Sequence, residues 1–102
     1  MPDFPIIDTH LHIWDMDRLS YSAFNGHPLF GRSYHIEEYQ KDCEDLQIEA
    51  MVFLECFADF TPTGGQYLDE IAFVEDSAVR DPRIKGIVPM APVEWGERVA
   101  PM

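Results

Sequence analysis

Three apolar, β-prone stretches alternate along the chain with two stretches of helical period. Residues Phe4 to Trp14 read FPIIDTHLHIW, an apolar and β-branched run with period-2 character that starts near Pro5 and gives way to polar residues at Asp15, and it predicts the first strand. From Ile36 the apolar positions Ile36, Tyr39, Cys43 and Leu46 recur at helical spacing. Glu37 and Glu38 fall in the first turn, where the helix dipole favours anions, so a first helix is predicted from Ile36 to near Gln47. Ala50 to Glu55 (AMVFLE) is short and apolar throughout, as a strand buried on both faces is, and forms the second predicted strand. Pro62, Gly64 and Gly65 then break the chain. After them Leu68, Ile71, Ala72, Glu75, Ala78 and Val79 repeat at helical spacing and predict a helix from Gln66 to Arg80 with that stripe against the core. Asp81-Pro82-Arg83 makes a turn, Ile84 to Ala91 (IKGIVPMA) is the third strand, and Pro92 and Gly96 loosen the chain beyond it. The order β-α-β-α-β indicates an α/β fold of parallel strands joined by right-handed crossovers.

Between the first strand and first helix, Asp15 to Ser33 carry Asn25, Gly26, Pro28 and Gly31, no helical period, and the aromatics Tyr21, Phe24 and Phe30. Loops of about 15 residues or more in compact domains are usually functional or disordered. This one succeeds the first strand and would arch over its end. Its Arg18, His27 and Arg32 suit a polar, anionic or polyhydroxylated substrate; solvated loop chemistry and aromatic anchoring are the alternative.

The 102 residues hold 7 Lys plus Arg against 19 Asp plus Glu, a formal net charge of −12, which removes the basic footprint a nucleic-acid binder needs. With 46% hydrophobic and 13% aromatic residues the chain is a core former rather than a disordered one. No run approaches the roughly 18 to 20 apolar residues of a membrane span, and MPDFPIID lacks the charged and apolar regions of a secretory leader. Cys43 and Cys56 stand alone, without the spacing of a zinc knuckle or a disulfide framework, and read as reduced thiols of a cytoplasmic protein.

The chemistry gathers at strand ends. Asp8, His10 and His12 are two residues apart, so on a regular strand their side chains share a face, with the two histidine Cα atoms roughly 6.6 Å apart. Two such imidazoles can converge on one ion, zinc first; equally, they can be ordinary polar residues of a half-exposed strand, since zinc normally takes at least three protein ligands. The pair lies at the carboxyl end of the first strand, where parallel β/α folds place their active sites. Glu55 closes the second strand at the same edge, either as a functional carboxylate or as the polarity that returns where any strand ends. Cys56 beside it reads as a small buried hydrophobe, because no basic partner is local. Met51, Phe53 and Met90 are assigned to the core, with Met51 and Phe53 on the sheet face that three strands and two helices leave uncovered.

IIDTHLHIWD at 6–15, MVFLEC at 51–56 and DPRIKGIVPMAPVE at 81–94 resemble the amidohydrolase superfamily, more narrowly its amidohydrolase-related sugar lactonases and pyrone-dicarboxylate lactonases. The resemblance runs over nearly the whole chain, and D-x-H-x-H with Trp-Asp directly downstream is its most specific part. It implies a (β/α)₈ TIM-barrel hydrolase that opens a lactone or similar ring ester. In it His10 and His12 occupy the first-strand positions for a divalent metal, and Asp8, Trp14, Arg32 and Glu55 are candidates to line the pocket. Metal dependence varies within this branch, so the same histidines can contact substrate directly. A barrel takes about 250 residues. Residues 1–102 therefore correspond to the N-terminal β-α-β-α-β portion of such a domain, stopping at GERVAPM where a third helix would begin. Two other readings stay open: a non-catalytic remnant or assembly-dependent subunit that self-associates through its open strand edges, and a decarboxylase of the same superfamily. If the loop caps a substrate site, its order would depend on the missing barrel strands.

Overall fold

The computed structural model describes residues 3–56, 58–61, 64–65 and 67–91. Three strands, β1 (Pro5–Leu11), β2 (Gln47–Leu54) and a third at Ile84–Val88, form one parallel sheet with β2 in the middle. Helix α1 (Ile36–Asp42) connects the first pair and α2 (Tyr67–Arg80) the second. A two-residue antiparallel ladder, β3 (Phe60–Thr61) with β4 (Gly64–Gly65), lies within the connection before α2, so Ile84–Val88 is β5. The β-α-β-α-β order is as expected, with the small ladder an addition. The predicted start of a third helix lies outside the described residues.

Boundaries moved for identifiable reasons. Helix α1 stops at Asp42, five residues short of Gln47, because Asp42, Glu44 and Asp45 would put carboxylates at the negative end of a longer helix. Cys43 and Leu46 still pack on the core, from a turn closed by the Leu46 N–H on the Cys43 carbonyl at 2.9 Å. Strand β2 begins three residues early, since Gln47 and Glu49 face solvent while Ile48 is buried between them. The third strand ends at Val88, and Met90, assigned to the core, is only half-buried beyond it.

Two predicted faces were wrong. Met51 and Phe53 are 0% exposed and join Leu11 and Ile13 in one core with Ile36 and Tyr39 of α1 and Phe73 and Val74 of α2. The uncovered face is the alternate phase, with Ile7 62% exposed and Val52 and Leu54 half-covered. AMVFLE is apolar on both sides, so its period cannot say which side meets helices. On α2 the buried stripe is Glu70, Phe73, Val74 and Ser77, whereas Leu68 and Val79 of the predicted stripe are 58% and 84% exposed. Glu70 and Ser77 disguised the true face, and each is satisfied within it. Ser77 donates its hydroxyl to the Phe73 carbonyl (3.0 Å), and Glu70 accepts the Cys56 N–H (3.0 Å).

At the amino end of the sheet, Asp81 and Arg83 tie four elements together. Asp81 Oδ1 accepts from Arg83 Nε at 2.9 Å, and its Oδ2 accepts from Arg83 Nη2 at 2.7 Å and Gln40 Nε2 at 3.0 Å. Arg83 Nη1 donates to the Ile48 carbonyl at 3.0 Å, so the end of α2, the start of β5, α1 and β2 share one polar clasp.

Candidate functional site at the carboxyl rim

Strand β1 does not run regularly to its end. Asp8 pairs with Met51 and Leu11 with Phe53, so three steps on β1 oppose two on β2. The irregularity is held by Asp8, whose Oδ1 accepts the His10 backbone N–H at 3.0 Å and whose Oδ2 accepts the Tyr39 hydroxyl of α1 at 2.6 Å. Burial first, and then that carboxylate, raise the Tyr39 hydroxyl pKa, which keeps it a donor. Asp8 therefore turns to the helix layer and does not share the histidines' face, contrary to strict period-2 alternation. Bulges of this kind re-aim side chains beside functional sites.

The histidines do come together. His10 Nε2 and His12 Nε2 are 3.1 Å apart, and His12 Nδ1 lies 3.1 Å from the Leu54 carbonyl at the end of β2. A carbonyl only accepts, so His12 carries its proton on Nδ1 and presents the Nε2 lone pair toward His10. His10 then either donates its Nε2 proton across the gap or turns a second lone pair to a shared cation. Bonds of about 2.0 to 2.1 Å from nitrogens at this separation would subtend an angle of roughly 100°, within the range of zinc sites. The donor set fits half of a divalent-metal site. Among the described residues no group of three or more His, Cys, Asp or Glu comes together to complete it.

Glu55 comes next on the same rim, half-buried, its backbone N–H bonded to the Val88 carbonyl at 2.9 Å. Beneath it lies a carboxylate that sequence reasoning missed. Glu70, 2% exposed, holds the Cys56 N–H, and burial raises its pKa, with Glu55 adding to the rise and the Cys56 N–H opposing it. The available signal was its place three and four residues before Phe73 and Val74.

The 15–34 loop is ordered from within the described chain. Trp14 and Tyr34 exchange backbone hydrogen bonds of 2.9 Å each, their rings stack at 5.3 Å, and the Trp14 indole N–H donates to the Arg32 carbonyl at 2.6 Å. Asp59 accepts the Ser22 N–H and hydroxyl at 2.9 and 2.7 Å, and Asp15 Oδ1 caps the Asp17 N–H at 2.8 Å. Gly31 approaches the His27 carbonyl so closely that a Cβ would sit 2.5 Å from its oxygen. The loop's cations are placed elsewhere than expected. Arg18 pairs with Asp76 of α2 at 2.8 Å, and Arg32 is exposed at a recess of about 270 Å³ that Trp14, Leu29, Phe30 and Tyr34 also line. Trp14 stands between that recess and the space next to His12 and lines both.

No protein family's sequence profile and no curated protein matches the chain. Among solved structures it is similar to amidohydrolase 2 from Bifidobacterium longum subsp. infantis, at TM-score 0.70 and 21% identity over 87% of this chain and 34% of that one. The likeness shows the fold, part of a TIM barrel, and the chain spans about a third of that protein's length.

Proposed function

We propose that the chain is the N-terminal portion of an amidohydrolase-type hydrolase that opens a lactone or related ring ester. The observation that carries the reading is the His10–His12 pair, Nε2 to Nε2 at 3.1 Å on the carboxyl rim of the first strand, with His12 held in one tautomer by the Leu54 carbonyl. The TIM-barrel likeness supports it, because barrels of this class do their chemistry at that rim. The name of the similar solved protein supports the superfamily; the lactonase branch rests on the sequence motifs.

In the reaction water adds to the ring carbonyl, the ring C–O bond breaks, and a hydroxy acid leaves. His10 and His12 would hold a divalent ion, zinc first, which supplies Lewis acidity to the carbonyl and to water when bound. Leu54 fixes the face His12 presents, and Asp8, braced by Tyr39, fixes the backbone of His10. Such supporting contacts orient ligands before binding. The described residues contribute two ligands, so hydrolysis needs groups beyond them. On this reading the chain by itself has no turnover, and its edge strands β1 and β5 offer unpaired backbone for association.

Zinc titration monitored by calorimetry tests the proposal. The chain should bind zinc weakly, as a two-histidine site does, and the double variant His10→Ala, His12→Ala should lose that binding. Tight stoichiometric binding that survives the double substitution would remove the histidines, and the reading with them.

A further inference from the structure

At the tip of the 15–34 loop one histidine holds the turn with its ring. His27 Nδ1 lies 3.0 Å from the Leu29 backbone nitrogen and 3.1 Å from that of Phe30, and both N–H groups donate to it. Pro28 between them has no N–H and a fixed φ of about −65°, so the donors begin at Leu29 and the chain curls back over the imidazole. The backbone of His27 closes the turn as well. Its N–H donates to the Phe24 carbonyl at 3.0 Å, and its carbonyl accepts the Gly31 N–H at 2.9 Å. A ring nitrogen that accepts two N–H groups carries no proton, so the imidazole that makes this turn is neutral, with its hydrogen on Nε2.

The turn carries Phe30 with it. The His27 ring stacks on Phe30 at 4.5 Å and 20°, and Phe30 meets Trp14 at 5.9 Å and Phe24 at 5.7 Å. Phe30 lines both the recess beside Arg32 and the space beside His12, so whatever fixes the turn fixes a wall of each. A proton on Nδ1 reverses the contact. It turns the shared acceptor into a donor aimed at two other donors, and both N–H groups lose their hydrogen bond at once. His27, Leu29 and Phe30 are exposed, so water takes up the freed N–H groups and the turn opens locally while the sheet stays folded. Among the described residues no charged side chain forms an ion pair or hydrogen bond with this imidazole to hold the cation in place. Arg18 is on Asp76, Asp15 on the Asp17 and Arg18 N–H groups and on His35, and Asp59 on Ser22, while Arg32 is exposed at the neighbouring recess.

We propose that His27 is a proton-operated latch: neutral, it holds the Leu29–Phe30 turn closed, and protonated, it releases Phe30 and loosens the tip of the loop. Histidine is the side chain whose charge ordinarily changes between about pH 5 and 8, which places the device in the physiological range. The latch rests on the loop alone and is independent of zinc binding by His10 and His12.

The test is an NMR titration of the full chain, labelled with ¹⁵N, from about pH 8 to about pH 5. At the upper end the His27 ring nitrogens should show the Nε2–H tautomer, and the Leu29 and Phe30 amides should be protected from exchange. As pH falls both amide signals should move together with the His27 ring. Their protection, corrected for the intrinsic effect of pH on exchange, should drop roughly fivefold or more, and Phe30–Trp14 contacts should weaken. His27→Asn keeps an acceptor, since an asparagine oxygen bonds the N–H two residues on in this kind of turn and takes no proton, so its loop should stay closed at both ends of the range. His27→Ala should be open throughout. An Nδ1–H tautomer at pH 8, amides that ignore the titration, or the same response in His27→Asn, general unfolding included, overturns the latch.

Discussion

Asp81→Asn removes a charge whose worth the structure sets. Asp81 is 3% exposed and accepts hydrogen bonds on both oxygens, from Arg83 on each and from Gln40 on one. The Arg83 hydrogen bonds hold its carboxyl down to about 2 from an ordinary 3.8, with help from Gln40 and against the opposing pull of burial. A drop of nearly two pH units, at about 1.4 kcal/mol each, makes the ionised form worth roughly 2 to 2.5 kcal/mol of folding stability. The folded pKa lies below the unfolded one, so the unfolded chain takes up the proton first as pH falls. The contribution is whole above about pH 5, shrinks as pH drops below 3.8, and is gone below about 2. Urea unfolding monitored by far-UV circular dichroism, at several pH values between about 7 and 2, reads it directly. The wild type should exceed Asp81→Asn by about 2 kcal/mol at neutral pH, and the gap should close toward zero near pH 2. Other carboxylates titrate in both proteins and cancel in the difference. A gap that is absent at pH 7, or that persists undiminished at pH 2, would refute the clasp as the source of that stability.

Glu70 should behave with the opposite sign. Burial raises its carboxyl above the ordinary 4.5, so stability falls as pH rises through that region, and Glu70→Gln, which keeps an acceptor for the Cys56 N–H, should flatten the slope in thermal unfolding. Glu70→Leu orphans that N–H and should cost about 1 to 3 kcal/mol. Tyr39→Phe removes the hydroxyl that braces Asp8, and should weaken zinc binding about tenfold while changing global stability by only about 1 to 2 kcal/mol. Asp59→Ala strips the acceptors of Ser22 from the loop, and should speed tryptic cleavage after Arg18 and Arg32 relative to Lys85 of β5. Unchanged rates there would mean that the aromatic stack alone holds the loop.

How much of the molecule was legible in its sequence depended on how unambiguous each pattern is. Order and type of the main elements could be read, because each has a period and a breaker of its own, as Asp81-Pro82-Arg83 shows between α2 and β5. Faces were less so. AMVFLE has two apolar sides, and α2 offers two apolar stripes. The stripe chosen by the fold contains Glu70 and Ser77, whose partners, the Cys56 N–H and the Phe73 carbonyl, appear only once the chain is packed. The histidine pair was legible from spacing, yet it meets for a reason spacing does not hold. A register irregularity stands between Asp8 and Leu11, and Asp8 pins it from the other side of the sheet. Trp14 and Arg32 were read as pocket residues from their place in the chain. Trp14 lines the space beside His12 and shares a second recess with Arg32, whose carbonyl also accepts the Trp14 indole N–H, a contact any residue could make.

The two ends of the sheet divide their tasks along these lines. At the amino end a buried carboxylate is fully partnered by a guanidinium and an amide, so its charge is favourable and binds four elements. At the carboxyl end the groups are ones folding alone disfavours: a buried Glu70 whose ionisation is penalised, two imidazole nitrogens in contact, and an irregular strand tip. Residues that oppose stability are expected where a site has to be kept ready, and barrels of this kind concentrate stability at one face and chemistry at the other. The Asp8–Tyr39 contact joins the two regimes, since it uses one well-made hydrogen bond from the helix layer to hold His10 in a position the sheet by itself would not give it. The same logic accounts for the thiol. Cys56 stays neutral because burial raises its pKa first and the nearby charges of Glu70 and Glu55 add to the rise.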